Sequence, residues 1–261
     1  MLNVAMEAAL EAGRFLKLNV GKIKSIERKN GEETNLVTEI DKESEALIIK
    51  KIHQHFPSHA ILGEESGKDE VVSNYRWIID PLDGTTNFTH GLPVFCVTIG
   101  IEHNGEIIAG AIYNPNADEM FSAEKGKGAF LNGKKISVST NDSLINSLLV
   151  TGFPYNVKEN PEHVTEHFVN FLPIAQGVRR LGSAALDMAY VACGRFDGYW
   201  EVILNPWDKA AGIIIVKEAG GMVTDFTGSA KNIIYSKNTL TTNGKIHTDM
   251  LAVLKKTIQQ N

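Results

Sequence analysis

Residues 77–87, which read Trp-Ile-Ile-Asp-Pro-Leu-Asp-Gly-Thr-Thr-Asn, are the stretch that decides the architecture of this chain. The run from Trp77 to Ile79 is typical of a buried strand, and the following Asp80-Pro81-Leu82-Asp83 has an acid at the first turn position and proline at the second. A β-turn of this kind brings its first and fourth Cα atoms within about 7 Å. The sequence therefore predicts two carboxylates that converge at the end of a hydrophobic strand.

Two converging carboxylates repel each other, and the residues that follow them suggest how the repulsion is used. Either one of Asp80 and Asp83 is protonated or a hard metal ion with oxygen ligands lies between them. Gly84 and the two threonines after it add backbone N–H groups and hydroxyls, which is the composition of an oxyanion cradle. The alternative is a structural Asp-Pro turn with a threonine-capped exit, since short motifs often match by chance.

Three further acids lie where predicted strands or helices begin or end. Glu64 follows a short apolar run and has glycine before it, which on its own could be a solvated turn. Asp41 stands three residues after Thr38, as in a capping box, and Asp208 lies in the first turn of a helix that Asn205 caps. Each acid has a local explanation, but together they indicate a site, because apolar elements would hold each of them rigidly.

Composition and charge limit the classes of protein to consider. The chain has 261 residues, of which 43% are hydrophobic and 22% charged, with a net charge of -5, as in an ordinary globular protein. A pI of about 5.9 disfavours nucleic acid as an obligatory ligand. Apolar runs such as residues 210–216 are far shorter than the ~20 residues that cross a bilayer. Cys96 and Cys193 lack metal-ligand spacing and predict a reduced, cytoplasmic protein.

Hydrophobic periodicity predicts an α/β fold with two halves. Helices are expected over residues 1–18 and 39–56, followed by strands and hairpins up to residue 138 and by alternating strands and helices from residue 139. We therefore predict an α+β domain at 1–140, which carries most candidate ligands and the phosphate loop. A second, α/β domain at 141–261 carries Asp208 and the substrate contacts. No Pro/Gly/Ser-rich linker separates them, so a compact body with a cleft is expected.

Longer motifs in the chain resemble those of a known family. Glu64-Glu65, residues 77–88, Trp207-Asp208 and residues 218–221 (Glu-Ala-Gly-Gly) are similar to signatures of the inositol monophosphatase family. Residues 152–154 and 179–187 resemble its bacterial branch. The resemblance implies a layered αβαβα sandwich of the inositol monophosphatase and fructose-1,6-bisphosphatase type, usually dimeric. It also implies a Mg²⁺-dependent, typically lithium-sensitive phosphomonoesterase that hydrolyses myo-inositol monophosphate.

The resemblance also implies roles for individual residues. One ion would take Glu64, Asp80 and the carbonyl of Leu82, a second would take Asp80, Asp83 and Asp208, and a third, weaker ion would also use Glu64. Asp41 and Thr85 would activate the attacking water, with Glu64 as a further catalytic residue. Phosphate and polyol would contact the following residues: Asp83, Gly84, Thr85, Gly182, Ala184 and Glu201. Two to three Mg²⁺ ions suit this oxygen-only ligand set, and no Cys or His cluster suggests zinc.

Several alternatives stay open at the level of sequence. A covalent route through Asp80 or Asp83 is a minor one. Where animal members of the family place a polar loop, this chain has Phe-Pro-Tyr at residues 153–155, which leaves the preference for inositol open. Fructose 1,6-bisphosphate and a 3′-phosphonucleotide are the alternative substrates, since relatives share these motifs. A non-catalytic role with the transcription machinery is a third hypothesis. Arg179 and Arg180 are the feature that could make such a contact, although a structural or dimer-interface role also fits them.

Overall fold

The structure is a computed structural model that describes residues 1–22, 26–28 and 36–259. The first two helices agree with the helices predicted over residues 1–18 and 39–56 to within one or two residues at each end, and the short helix at Thr85–Thr89 was not predicted. The helices in the described residues are α1 (Leu2–Asn19), α2 (Glu39–His55), α3 (Thr85–Thr89), α4 (Val164–Phe171), α5 (Ala184–Ala192), α6 (Pro206–Glu218) and α7 (His247–Gln259).

The strands form two large sheets and one small pair. β1 (Ile26–Arg28) and β2 (Leu36–Thr38) pair with each other. An eight-stranded sheet contains β3 (Ala60–Gly63), β4 (Gly67–Lys68), β5 (Tyr75–Asp83), β6 (Cys96–His103), β7 (Glu106–Asn114), β8 (Glu119–Glu124), β9 (Gly128–Leu131) and β10 (Lys134–Lys135), in the order β10-β9-β8-β7-β6-β5-β3-β4. A five-stranded sheet contains β11 (Leu148–Thr151), β12 (Gly177–Arg179), β13 (Gly198–Glu201), β14 (Met222–Thr224) and β15 (Thr239–Thr242), in the order β12-β11-β13-β15-β14.

Helices and sheets alternate in five layers. Trp77 and Ile79 of β5 pack in the same core as α1 and α2, whereas Ile78 between them packs in the core that contains α5 and α6. This alternation follows from the two-residue period of a strand. The helices α5 and α6 lie between the two sheets, and α4 and α7 cover the outer face of the second sheet. The predicted α/β fold with layered αβαβα order is confirmed.

The predicted β-turn at Asp80–Asp83 is wrong in its form, because β5 continues through it. Asp80 pairs with Thr98 and Asp83 with Cys96, so three steps along β5 match two along β6, as in a β-bulge. The side chain of Asp80 closes this bulge, since its Oδ1 accepts a hydrogen bond from the N–H of Leu82 at 2.9 Å. The irregularity ends regular pairing and leaves both aspartates at the end of the strand.

The other sequence predictions concern a hairpin, the strands of the second sheet and the domain boundary. One of the hairpins expected before residue 138 has a two-residue loop, Asn104 and Gly105, both with positive φ, as a type I′ turn requires. The sequence did not predict β12 and β15, which are short and lie in the second sheet. The domain boundary at residue 140 stays a prediction. In the described part of the chain, no helix is both long and apolar enough to span a membrane.

Candidate active site

A cavity of about 650 Å³ opens between the carboxyl end of β5 and the beginnings of α5 and α6. Its walls contain every predicted metal ligand and every predicted substrate contact. These residues are Glu64, Asp80, Leu82, Asp83, Gly84, Thr85, Gly182, Ala184, Glu201 and Asp208. Asp41 is not part of the wall, but it lies one hydrogen bond behind it. The structure therefore brings together residues that lie far apart in the sequence, although their individual roles stay predictions.

Three contacts hold Asp83 through one of its two carboxylate oxygens. Its Oδ2 accepts hydrogen bonds from Ser183 Oγ at 2.6 Å and from the N–H of Ala185 at 2.8 Å. The Sγ of Cys96 approaches the same oxygen at 3.7 Å. Because all these contacts use Oδ2, none of them occupies Oδ1. The first turn of α5 therefore fixes the orientation of Asp83 at the cavity wall.

Asp41 and Asp208 each use one carboxylate oxygen in a helix cap. Oδ2 of Asp41 accepts from the N–H and hydroxyl of Thr38, and its Oδ1 accepts from Thr85 Oγ1 at 3.1 Å. Oδ2 of Asp208 accepts from the N–H of Asn205 at 2.6 Å. The capping predicted for both acids is confirmed. Capping and a role at the cavity are thus compatible, because a carboxylate has two oxygens.

Burial shifts the pKa values of these acids upward. The pKa of Asp83 is raised to about 6, first by burial, with the hydrogen bonds from Ser183 and Ala185 opposing the shift. Burial and then the charge of Glu64 raise the pKa of Asp80 and of Asp208 well above the usual value. Burial also raises the pKa of Asp41. The protein thus places several acids around one cavity in surroundings that disfavour their charged forms.

Two basic residues of the described part of the chain, Lys209 and Arg180, lie near these acids. Lys209 follows Asp208 in the sequence but directs its buried ammonium group to the carbonyl of Ser236 and to Thr239 Oγ1. Burial lowers the pKa of Lys209 to about 8. Arg180 lies in the cavity wall, where its charge opposes the upward shift of the pKa of Glu201.

The opposite wall of the cavity is built around Glu201. Its Oε2 accepts a hydrogen bond from Tyr199 Oη at 2.7 Å, and burial raises the pKa of Glu201 to about 7. A Cβ on Gly152 would lie 2.0 Å from the same carboxylate, so only glycine fits there. Glu201 is therefore held at the cavity by β13 and by the end of β11.

Several cavity residues were not among the predicted site residues. Arg179 and Arg180 were considered for contacts with other proteins. Both are exposed, but Arg180 also lines the cavity, whereas Arg179 at the end of β12 does not. Tyr155 and Ile203 also line the cavity. Ile203 has φ +58°, which is rare for a β-branched residue. No local pattern in the sequence marks Ile203, because a loop conformation of this kind depends on the elements around it.

The oxygen donors fit divalent metal ions of the Mg²⁺ type. The four acids Glu64, Asp80, Asp83 and Asp208 offer carboxylate oxygens, and Leu82 offers a backbone carbonyl, which are the ligands that hard cations prefer. Within residues 1–22, 26–28 and 36–259, no three acidic, histidine or cysteine side chains are already close enough to hold an ion jointly. The raised pKa values indicate that a cation would relieve the repulsion between these acids.

Comparison with known proteins gives consistent matches over the whole length. A profile of the inositol monophosphatase family matches residues 1–260. Inositol-1-monophosphatase of Synechocystis sp. is 47% identical, with coverage of 99% of this chain and 90% of that protein. Nus factor SuhB of Escherichia coli K12 is 41% identical over 98% of this chain and 96% of its own length. The solved structure of a Thermotoga maritima IMPase superimposes with a TM-score of 0.91 at 39% identity, covering 99% and 98% of the two chains.

The raised pKa of Asp83 predicts how the free energy of unfolding of the metal-free protein depends on pH. Its pKa in the folded protein, about 6, exceeds the ordinary value of 3.8, so the unfolded chain releases this proton first as the pH rises. Wild type should therefore lose free energy of unfolding as the pH rises from about 4 to about 6, whereas Asp83→Asn should not lose this contribution. The free energy of unfolding of the variant should rise relative to wild type by up to about 3 kcal/mol over this range and stay constant above it. Denaturant unfolding in EDTA at a series of pH values measures this.

Asp142→Asn is the matched control, because Asp142 is exposed and outside the cavity. The asparagine at position 83 can accept the same two hydrogen bonds through its single amide oxygen. A stability difference for Asp83→Asn that does not change with pH would contradict the raised pKa.

Proposed function

The chain belongs to the inositol monophosphatase family, and from that premise we propose that it is a Mg²⁺-dependent phosphomonoesterase that hydrolyses myo-inositol monophosphate to inositol and phosphate. The observation that carries the proposal is the convergence of Glu64, Asp80, Asp83 and Asp208 on one cavity that also contains Gly84 and the two threonines after it. Anionic walls of this kind can bind a phosphate dianion only together with cations.

We propose two to three Mg²⁺ ions at this wall. Glu64, Asp80 and the carbonyl of Leu82 would hold one ion, Asp80, Asp83 and Asp208 a second, and Glu64 would contribute to a third. When bound, such ions offset the charge of the phosphate ester and of the carboxylates. Lithium inhibition is expected by the same resemblance.

Thr85 and Asp41 are the proposed pair that orients the attacking water. The Thr85 hydroxyl is 3.1 Å from Asp41 Oδ1 and 3.1 Å from the carbonyl of Leu82. When it donates its proton to Asp41, the oxygen lone pairs of Thr85 are available to accept a proton from water. The raised pKa of Asp41 makes its carboxylate a better base for that proton. The pair therefore activates water without a covalent enzyme intermediate.

The remaining contacts would hold the substrate. Asp83 and the backbone of Gly84 and Thr85 would lie against the phosphate. Gly84 has φ +100°, and a Cβ there would lie 2.9 Å from the carbonyl of Val94, so only glycine lets the chain turn at this point. Gly182, Ala184 and Glu201 would contact the hydroxyl groups of the polyol from the opposite wall. Buried Glu201 suits this role because it accepts hydrogen bonds when ionised.

A substrate panel tests the proposal directly. Phosphate release from myo-inositol 1-phosphate, fructose 1,6-bisphosphate and a 3′-phosphonucleotide should depend on Mg²⁺, with the highest kcat/KM for the inositol ester. Asp83→Asn should lower this value at least about 100-fold, because loss of even an outer contact of a metal site costs about 10–100-fold. Its circular dichroism and unfolding transition should show a folded protein.

The Asp142→Asn variant serves again as the control and should keep full activity. Phosphate release that is unaffected by EDTA, or full turnover in a folded Asp83→Asn variant, would overturn the metal mechanism. A higher kcat/KM for one of the other two esters would keep the mechanism but replace the substrate.

Substitutions at Thr85 test the water-orienting pair. Thr85→Ala removes the hydroxyl and should lower kcat by about 10²–10⁴-fold, the range of general acid–base contributions, with a smaller effect on KM. Thr85→Ser keeps the hydroxyl and should retain most of the activity. Steady-state kinetics at saturating Mg²⁺ measure both. Equal kcat values for the alanine and serine variants would contradict the role of the hydroxyl.

A second candidate function is a contact with the transcription machinery. The observation that favours it is the name of relatives such as Nus factor SuhB, at 41% identity. Arg179 and Arg180 are both exposed, and Arg179 is the better candidate for such a contact because it does not line the cavity. We expect wild type to bind purified RNA polymerase complexes and Arg179→Ala to bind more weakly, as measured by surface plasmon resonance. The absence of binding by wild type would remove this candidate.

Quaternary structure and location complete the proposal. We propose a homodimer, as is usual in the family, and light scattering would determine its mass. A cytoplasmic location is consistent with the two cysteines, Cys96 and Cys193, which are both free thiols. Nucleic acid remains an improbable ligand because the net charge is -5.

A further inference from the structure

The first two turns of α2 present a buried polar face toward the cavity. The side chains on this face lie behind the cavity wall and do not line it. Thr38, Asp41, Ser44 and Glu45 lie on this face at spacings of three and four residues, and all four side chains are buried. Three of them contact three different segments of the candidate site. The same helix face continues with Ile48 and Ile52, which pack in the core with α1 and the eight-stranded sheet.

Glu45 fixes the turn that carries Glu64. The residue is 3% exposed, and its two carboxylate oxygens accept hydrogen bonds from consecutive backbone amides. Oε2 accepts from the N–H of Glu65 at 3.0 Å, and Oε1 accepts from the N–H of Ser66 at 2.8 Å. A Cβ on Gly63 would lie 2.5 Å from Oε2, so the turn and the carboxylate fit without space between them. Both ends of the Glu64 turn therefore rest on one side chain of α2.

Ser44 fixes the neighbouring segment in the same way. Its side chain is fully buried, and its Oγ donates a hydrogen bond to the carbonyl of Pro81 at 2.9 Å. Pro81 lies inside the β-bulge between Asp80 and Asp83. One turn earlier on the helix, Asp41 binds Thr85. A single rigid helix thus holds the Glu64 turn, the bulge and the residue that follows it.

We propose that Ser44 and Glu45 are positioning residues that set the distance between Glu64 and the Asp80–Asp83 bulge, and so determine the affinity of the site for its divalent cations. The inference rests on the proposed function, because it concerns the same metal site. Neither residue lines the cavity, so each acts through the backbone segment that it binds.

Repulsion between the ligand carboxylates explains why these contacts would affect the affinity for cations. Before a cation binds, the carboxylates on the two segments favour greater separation. Hydrogen bonds from a helix that is anchored in the core oppose this separation. When the backbone segments that carry the ligands are already held in place, less entropy is lost as the ligand side chains gather around the ion. Contacts behind metal ligands typically contribute about 10–100-fold in affinity.

The test is calorimetric titration of the substrate-free full-length protein with Mg²⁺. Glu45→Gln keeps the size of the side chain but offers one acceptor oxygen for two N–H donors, so binding should weaken about 10-fold. The Mg²⁺ concentration that gives half-maximal phosphate release should rise by a similar factor, whereas kcat at saturating Mg²⁺ should stay within about 3-fold of wild type. Glu43→Gln is the matched control, since Glu43 is exposed on the same helix and carries the same charge.

Two other variants approach the same contacts independently. Ser44→Ala removes the hydrogen bond to Pro81 and favours the helix, and Gly63→Ala pushes against the Glu45 carboxylate from the opposite side. Both should weaken Mg²⁺ binding several-fold in a folded protein. If Glu45→Gln fails to fold, the Mg²⁺ affinities of these two variants test the positioning role instead.

The outcomes separate this inference from the proposed function. If wild type binds Mg²⁺ and is active, but the folded variants bind Mg²⁺ as tightly as Glu43→Gln, the positioning role is overturned and the function stands. A lower melting temperature with unchanged Mg²⁺ affinity would likewise mean a purely structural role. If wild type shows neither Mg²⁺ binding nor Mg²⁺-dependent phosphate release, both proposals fall.

Discussion

Repulsion between buried carboxylates is the constraint on which the rest of this structure depends. Asp80, Asp83 and Asp208 have pKa values raised by burial, and the charge of Glu64 raises each of them further. Such a group of acids is stable only if other parts of the fold hold each of them in place. The five-layer arrangement does so by placing the carboxyl end of β5 and the N-terminal ends of α2, α5 and α6 near the same cavity.

Helix ends provide much of this restraint. Asp41 and Asp208 each use one carboxylate oxygen to cap a helix, and Asp83 is held by the first turn of α5. N-terminal helix turns favour negative charge because their N–H groups have no partner within the helix. The acids are therefore stabilised at the same positions where their remaining oxygens are left for other ligands. Capping and metal binding are two uses of the same side chains.

The described contacts also explain why the site extends beyond the residues that line it. Glu45 and Ser44 of α2 never reach the cavity, yet they bind two neighbouring backbone segments of its wall. Their polar side chains would be costly on a buried helix face without these partners. Apolar residues such as Ile48 and Ile52 on the same face connect the site to the hydrophobic core. The helix α2 thus couples the packing of α1 and α2 on the sheet to the geometry of the site.

Much of the local structure could be predicted from the sequence because its causes are local. Helix and strand periods, the Asn104-Gly105 hairpin and the caps at Asp41 and Asp208 depend on neighbouring residues. The β-turn at Asp80–Asp83 was wrong because the partner strand β6, which turns the segment into a bulge, lies further along the chain. β12 (Gly-Val-Arg) and β15 (Thr-Leu-Thr-Thr) were missed because each contains a single large apolar residue and so presents no apolar run.

By itself, the sequence determined which residue types are available for the chemistry and which local elements carry them. Tertiary structure decided which of these residues meet. Asp41 and Thr85 are 44 residues apart, and Asp83 and Ser183 are 100 residues apart, yet each pair is joined by a hydrogen bond. The same packing placed Arg180 in the cavity and turned Ser44 and Glu45 toward the site. The physical reason is that such contacts depend on how sheets and helices pack, whereas periodicity and capping depend only on residues within a few positions of each other.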